Sequence, residues 1–426
     1  MAQALRKPRR LKGEITPPSD KSISHRSLIL NSMAAGEASI SNFLPAADCL
    51  STLSCLQAIG VNIELRGSEV RLRGAGGAGF TRPDSVLNAG NSGTTTRLLS
   101  GLLATQPFTS TITGDDSLRL RPMVRIIEPL RLMGARIEGK DGKAPLTITG
   151  GNLHGIRYKT PVPSAQVKSA ILIASLAAEG ATVVEEPAIS RDHTERMLLA
   201  MGADIRPEYL TVTLNPAVSA LNTLNISIPG DISSAAFWLV AGVIHPEARI
   251  TIRGTGMNPT RNGIIEVLQS MGASIIIENQ RLEGYEPIAD LMVESSALKG
   301  VEIRGDLIPR LIDEIPVIAV AASVARGTTV IRDAAELRVK ESDRIKATVT
   351  ELTRMGAQIE ETPDGMVIQG VSKLRGAQCQ TYVDHRLAMA IAVAGICAEG
   401  ETFLSEYESV DISYPDFWRD LERIIN

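Results

Sequence analysis

One eight-residue pattern recurs along this chain and constrains its fold more than any other feature. It reads LQAIGVNI at 56–63, LRLMGARI at 130–137, LLAMGADI at 198–205, LQSMGASI at 268–275 and LTRMGAQI at 352–359. A worn sixth copy spans Phe417 to Ile425 at the end of the sequence. In each intact copy the Gly sits where a helix must end, being the residue that most readily adopts the left-handed conformation of a helix C-cap, and a short strand follows. Copies fall roughly 70 residues apart, longer than the ~20–50 residues of most stacked solenoids. Six of them account for the 426 residues.

A second pattern interleaves with the first. Segments 22–36, 92–103, 164–180, 231–243, 313–327 and 384–400 each open with polar capping residues, Ser22, Ser92, Ser164, Asp231, Asp313 and Asp384. Each then runs apolar on every side, which marks a buried helix, whereas an amphipathic one would lie on the surface. Strand-like alternations such as Val70 to Arg73 and Leu146 to Thr149 lie between the helices. Aromatics make up only 3% of the chain, so these cores must be built from aliphatic residues packed at close range.

The expected fold class is therefore α/β with two domains. Each domain has three repeated small sheet-and-helix units packed around shared buried helices. The first domain is expected at 19–226 and the second at 1–18 with 227–426, the two crossovers forming a hinge. Four cysteines without CxxC or metal spacing read as buried free thiols. No stretch reaches the ~20 apolar residues of a membrane span, and residues 1–11 are basic without an apolar core after them. A net charge of −4 gives no bulk attraction to nucleic acid or an anionic membrane. A cytoplasmic monomer with neither partner is the expectation.

Function is signalled by cations where helices disfavour them. A helix N-terminus carries about half a positive charge, yet Lys21 precedes the first buried helix, Arg26 falls within its opening turns, and His385 and Arg386 follow the capping Asp384 of the last. An anionic ligand is the physical compensation. Single motifs stay ambiguous. The run GNSGTTTR at 90–97 could cradle a phosphate or simply be a Gly-rich turn. Ser164 to Gln166 could be a plain N-cap. Lys340 and Arg344, four apart beside Glu341 and Asp343, could form a surface ion-pair ladder on one helical face. Asp313 and Glu314 could cap the apolar helix that follows them.

Taken in order, the runs at 19–26, 90–97, 118–123, 164–166, 228–234, 313–316, 338–344 and 384–386 resemble the 5-enolpyruvylshikimate-3-phosphate synthases over nearly the full chain. That resemblance implies the enolpyruvyl transferase fold and two small-molecule substrates, phosphoenolpyruvate and shikimate 3-phosphate, with no metal or other cofactor. It implies Lys21 touching both substrates and Ser22 and Arg26 on shikimate 3-phosphate. Ser164, Ala165 and Gln166 would contact its ring and phosphate. Gly93, Arg121, Arg344 and Arg386 would hold phosphoenolpyruvate. Asp313 and Lys340 would bind shikimate 3-phosphate, with Asp313 as proton acceptor and Glu341, shared with Lys21, as proton donor. His25 and Ala165 are similar to the family's second class. The first class has a Lys near Ser413 where this chain has Ile412. The related transferase acting on UDP-N-acetylglucosamine would use a Cys in the loop 114–123, and that loop has none.

Overall fold

All five repeat glycines, Gly60, Gly134, Gly202, Gly272 and Gly356, sit at positive φ, between 83° and 112°. Each helix closes with the same bond, from the N–H after the Gly to the carbonyl of the Leu five residues earlier. The distances are 3.1 Å for Val61 to Leu56, 3.0 Å for Ala135 to Leu130 and for Ala203 to Leu198, and 2.9 Å for Ala273 to Leu268 and for Ala357 to Leu352. This six-to-one closure satisfies a carbonyl that the helix leaves unbonded, and it turns the chain directly into a strand. The computed structural model describes residues 2–76, 79–216, 220–283 and 285–425.

The chain forms two compact units. One consists of residues 19–228 with 283–286, and the other of residues 1–18, 229–282 and 287–426. In the first, the helices are α1 (Lys21–Met33), α2 (Ala47–Ala58), α3 (Gly93–Ala104), α4 (Asp116–Leu120), α5 (Val124–Leu132), α6 (Ala165–Ser175) and α7 (His193–Ala200). The second holds α8 (Ile232–Ile244), α9 (Gly263–Ser270), α10 (Ile315–Ser323), α11 (Arg344–Arg354), α12 (His385–Gly395) and α13 (Phe417–Ile425).

Each repeat pairs a buried helix with a small mixed sheet. In the second repeat the spatial order is Leu87–Asn88, Thr109–Thr113, Leu146–Thr149, Arg136–Gly139, with the first pair parallel and the others antiparallel. The third and fifth repeats follow the same plan. Strand Ile226–Ser227 pairs in parallel with Ala35–Ser41, so the end of this segment completes the sheet of its first repeat. In the other unit Leu11–Ile15 pairs in parallel with Ala248–Gly256, and Ala2–Arg6 pairs antiparallel with Glu401–Ser405.

The buried helices α1, α3 and α6 form the core of one unit, and α8, α10 and α12 that of the other. Leu98, Leu99, Leu102 and Leu103 of α3 are fully buried, each worth about 1.5–3 kcal/mol of transfer free energy. Gly101 explains how α3 and α6 approach so closely. A Cβ there would stand 2.4 Å from the Ala170 carbonyl oxygen. Hydroxyls inside these helices bond to their own backbone, as Ser100 does to Thr96 O at 2.7 Å and Ser175 to Ile171 O at 2.6 Å. They therefore fit an apolar core without an unmet donor. The worn sixth copy is held by aromatic packing: Phe417 stacks on Trp238 at 5.0 Å, and Trp238 Nε1 donates to the Tyr414 hydroxyl at 2.9 Å.

Two helix starts differ from the sequence reading. Helix α1 begins at Lys21, and its cap is Asp20, not Ser22; the Asp20 carboxylate accepts the Ile23 N–H at 2.9 Å. Helix α10 begins at Ile315 with Glu314 at the cap position and no side-chain cap bond. The cap position of α10 thus falls on Glu314, one residue after Asp313.

Candidate active site

In the unit of residues 19–228, the opening turns of α1, α3 and α6 are tied together by side chains. His25 Nδ1 lies 2.7 Å from Thr52 Oγ1, which lies 2.7 Å from Thr95 Oγ1, which donates to the α3 cap Ser92 at 2.7 Å. Between α3 and α6, Arg97 Nη1 donates to Gln166 Oε1 at 2.7 Å, and Gln166 Nε2 donates to Thr94 Oγ1 at 2.9 Å. From α1, Arg26 reaches across to Ser169 Oγ at 2.9 Å and Thr194 Oγ1 at 2.8 Å. Lys21, Ser22, Arg26, Gly93, Ala165 and Gln166 thus stand on three helix starts joined in one network. Arg121 follows α4 and donates to Asn91 Oδ1 at 2.5 Å, just ahead of α3.

Cations crowd these helix starts. Lys21 Nζ is 3.0 Å from Asp48 Oδ2, both side chains mostly buried. Arg26 is 2% exposed and Arg121 8%. A Cβ at Gly93 would stand 2.8 Å from Arg97 Nη1 and 3.4 Å from Arg121 Nη1, so both guanidinium groups lie against it. Burial pushes the His25 imidazole down to about 3; Asp48 opposes the fall, and Lys21 and Arg26 add to it. His25 is therefore neutral near pH 7 and acts as a hydrogen-bonding link, not a charge.

In the unit of residues 1–18, 229–282 and 287–426, cations again crowd the helix starts, here with several carboxylates among them. Asp313 Oδ1 is 3.2 Å from Arg344 Nη1 and 3.8 Å from Lys340 Nζ, while its Oδ2 is 3.9 Å from Arg386 Nη2. Arg344 is 1% exposed, so the surface-ladder reading fails for it. Lys340 ends a short 3-10 turn and Arg344 begins α11, so the two do not share one helix. Arg344 is gripped by Asp384, through Nε at 2.8 Å and Nη2 at 3.2 Å, and by Glu341 at 2.6 Å. Burial would lower the Arg344 pKa, but Asp384, Glu341 and Asp313 more than offset it, and the pKa is raised. Asp384 also caps α12 by accepting the Arg386 N–H at 3.0 Å. One buried carboxylate thereby fixes two candidate arginines.

A second tier supports Arg386. Its Nη1 is 3.9 Å from Glu314 Oε1, which accepts a hydrogen bond from Ser233 Oγ. Ser233 Oγ in turn accepts one from Arg261 at 2.6 Å, and Arg261 pairs with the α8 cap Asp231 at 3.0 Å. Chemically, each unit offers helix N–H groups and fixed guanidinium or ammonium groups, suited to phosphate and carboxylate. Asp313 and Glu341 place two carboxylates beside these cations in the second unit.

Two further cations, Arg97 and Arg191, bond to candidate residues; in the sequence Arg97 stands out only as the end of the 90–97 run. Arg97 lies in the first turns of α3, as Arg26 does in α1, so the cation argument applies to it equally. Arg191 Nη1 donates to Ser22 Oγ at 3.5 Å, and no sequence pattern joins two residues so far apart. Among the described residues no group of three or more His, Cys, Asp or Glu is arranged to hold a metal ion, and no helix is long and apolar enough to cross a membrane.

Residues 5–421 match the EPSP synthase (3-phosphoshikimate 1-carboxyvinyltransferase) family profile. The chain is 53% identical to 3-phosphoshikimate 1-carboxyvinyltransferase of Herpetosiphon aurantiacus over 428 aligned residues, covering 100% of this chain and 99% of the relative. It is also 53% identical to that of a Bacillus cereus strain over 416 residues, covering 97% of each. The fold is similar to the crystal structure of EPSP synthase from Acinetobacter baumannii, with a TM-score of 0.88 and 44% identity, covering 100% of this chain and 98% of that one.

Proposed function

This chain belongs to the EPSP synthase family, and from that premise we propose how its residues divide the work. The reaction transfers the enolpyruvyl group of phosphoenolpyruvate to the 5-hydroxyl of shikimate 3-phosphate in the shikimate pathway, releasing phosphate. Ser22, Arg26, Ser164, Ala165 and Gln166 bind shikimate 3-phosphate, and Lys21 meets both substrates. Gly93, Arg121, Arg344 and Arg386 hold phosphoenolpyruvate. Lys340 and Asp313 orient the acceptor. Asp313 takes the proton of the attacking hydroxyl, and Glu341 with Lys21 supplies the proton to C3 of the enol. Three anionic groups meeting in water repel one another, so fixed cations both lower that cost and align the approach.

The observation that supports the reading is the Asp313 carboxylate, held within 3.9 Å of Lys340, Arg344 and Arg386. The same three cations suit the substrate anions. Domains of 19–226 and of 1–18 with 227–426, hinged at the crossovers, fit the division at 18/19 and 228/229. His25 and Ala165 support the second-class form. Four free cysteines suit a reducing cytoplasm, and we take the working form to be a monomer. Steady-state phosphate release with each substrate varied in turn tests the division. Ser22→Ala should raise KM for shikimate 3-phosphate, and Arg386→Ala that for phosphoenolpyruvate. Equal effects on both substrates from either variant contradict it.

A further inference from the structure

Beneath the start of α6 lies a buried ionic cluster that no role above uses. Lys168 is 3% exposed, and its Nζ lies 2.7 Å from both Glu186 Oε2 and Glu195 Oε1. The two Glu186 oxygens serve different elements. Oε1 accepts the backbone N–H of Ser164 at 3.1 Å, and Oε2 accepts the Ser190 hydroxyl at 2.9 Å as well as Lys168. Buried ion pairs of this kind are often no more stabilising than apolar side chains of similar volume, so stability alone does not account for it.

What the cluster does is fix backbone. The Ser164 hydroxyl caps Val167 at 3.4 Å, a long bond, so the tether from the Ser164 N–H to Glu186 is the shorter constraint on the α6 start. Through Ser190 the same carboxylate also holds the segment that carries Arg191 and Thr194. Those two residues bond Ser22 and Arg26 respectively. Burial would lower the Lys168 pKa, but Glu195 and Glu186 more than offset it and raise it, so the counter-charge is permanent near neutral pH.

Resting on the assignment of Ser22, Arg26 and Ser164 to Gln166 to shikimate 3-phosphate, we infer that Glu186 is a positioning residue for that subsite, with Lys168 its counter-ion. It sets the α6 start and the 190–194 segment in one geometry, so the subsite is preformed. Removing the charge without changing the volume should loosen both segments together. Binding of the acceptor would then weaken, while the chemical step, once both substrates are bound, would not.

The test is steady-state kinetics on Glu186→Gln beside Ser164→Ala, with thermal melts on the same preparations. Glu186→Gln should raise KM for shikimate 3-phosphate about tenfold, the loss of one hydrogen bond to a charged group. It should leave kcat and KM for phosphoenolpyruvate within about twofold, the signature of lost uniform binding. A merely structural role would lower the melting temperature and leave that split unmoved, which overturns the inference. An effect of Ser164→Ala without one of Glu186→Gln overturns the positioning role alone, whereas no effect of Ser164→Ala removes the subsite assignment beneath it. Hydrogen exchange on the unaltered protein gives a second reading that needs no variant to fold. Shikimate 3-phosphate should slow amides of 160–168 and of 186–194 together, and protection confined to 160–168 overturns the proposal.

Discussion

Replacing Asp313 by Asn separates two things its carboxylate can do. It can accept a proton from the attacking hydroxyl, or it can merely neutralise the Arg344, Lys340 and Arg386 cations that surround it at 3.2, 3.8 and 3.9 Å. Asn preserves shape and can still accept a hydrogen bond, but cannot take a proton at any working pH. Helix capping does not confuse the outcome, since Asn caps a helix as well as Asp does. The Asp313 side chain is 13% exposed, between surface pairs worth about 0–1 kcal/mol and buried ones costing about 3–5 kcal/mol to break. Arg344 also keeps Asp384 and Glu341. A stability loss of about 1–3 kcal/mol follows, a drop of several degrees in melting temperature. General-base catalysis is worth about 10²–10⁴-fold, so kcat should fall by that much, equivalent to about 3–5 kcal/mol in the barrier. If the carboxylate only balances charge, its removal leaves three cations more positive. The variant would then bind phosphoenolpyruvate more tightly and keep near-normal kcat. The assay is phosphate release at saturating shikimate 3-phosphate with a melt alongside, and near-normal kcat refutes the base assignment.

Other outcomes follow from the same geometry. Arg386→Ala should raise KM for phosphoenolpyruvate about 10–100-fold, as expected for hydrogen bonds to a charged group, with shikimate 3-phosphate binding nearly intact by titration. His25, held down to about 3 by burial against an ordinary value of 6.5, binds its proton more weakly folded than unfolded. Its contribution is complete above pH 6.5 and lost as pH falls toward 3, about 2 kcal/mol by pH 5. Melting temperatures measured from pH 7 to 5 should fall less steeply in His25→Asn. Gly356 sits at φ +85° with open space where a Cβ would go, so Gly356→Ala should cost about 1–2 kcal/mol from backbone strain alone. A denaturant midpoint unchanged by that substitution would contradict the left-handed cap.

The repeat glycines and apolar helices were legible in the sequence because both are local. A helix that ends in Gly needs no distant partner to announce itself. Lys21, Arg26 and Arg386 were legible for a related reason, since a cation at a helix start conflicts with the local dipole. The caps were less so: Asp20 and Ser22 are both good capping residues two positions apart, and only the backbone decides between them. Asp313 could be read from its position only as a possible cap, because its partners Lys340, Arg344 and Arg386 come from two other segments. Lys168 shows the opposite failure. It too is a cation in the opening turns of a buried helix, yet Glu186 and Glu195 already neutralise it. Neither glutamate lies at helical spacing from it, so only tertiary structure reveals the pairing.

The most direct test of the whole account is product analysis with purified protein, shikimate 3-phosphate and phosphoenolpyruvate in buffer containing a metal chelator. Equal amounts of 5-enolpyruvylshikimate 3-phosphate and inorganic phosphate should form at a rate the chelator does not change. Substituting UDP-N-acetylglucosamine for shikimate 3-phosphate should give no phosphate. Absence of product from shikimate 3-phosphate, or product only when a metal is restored, would contradict it.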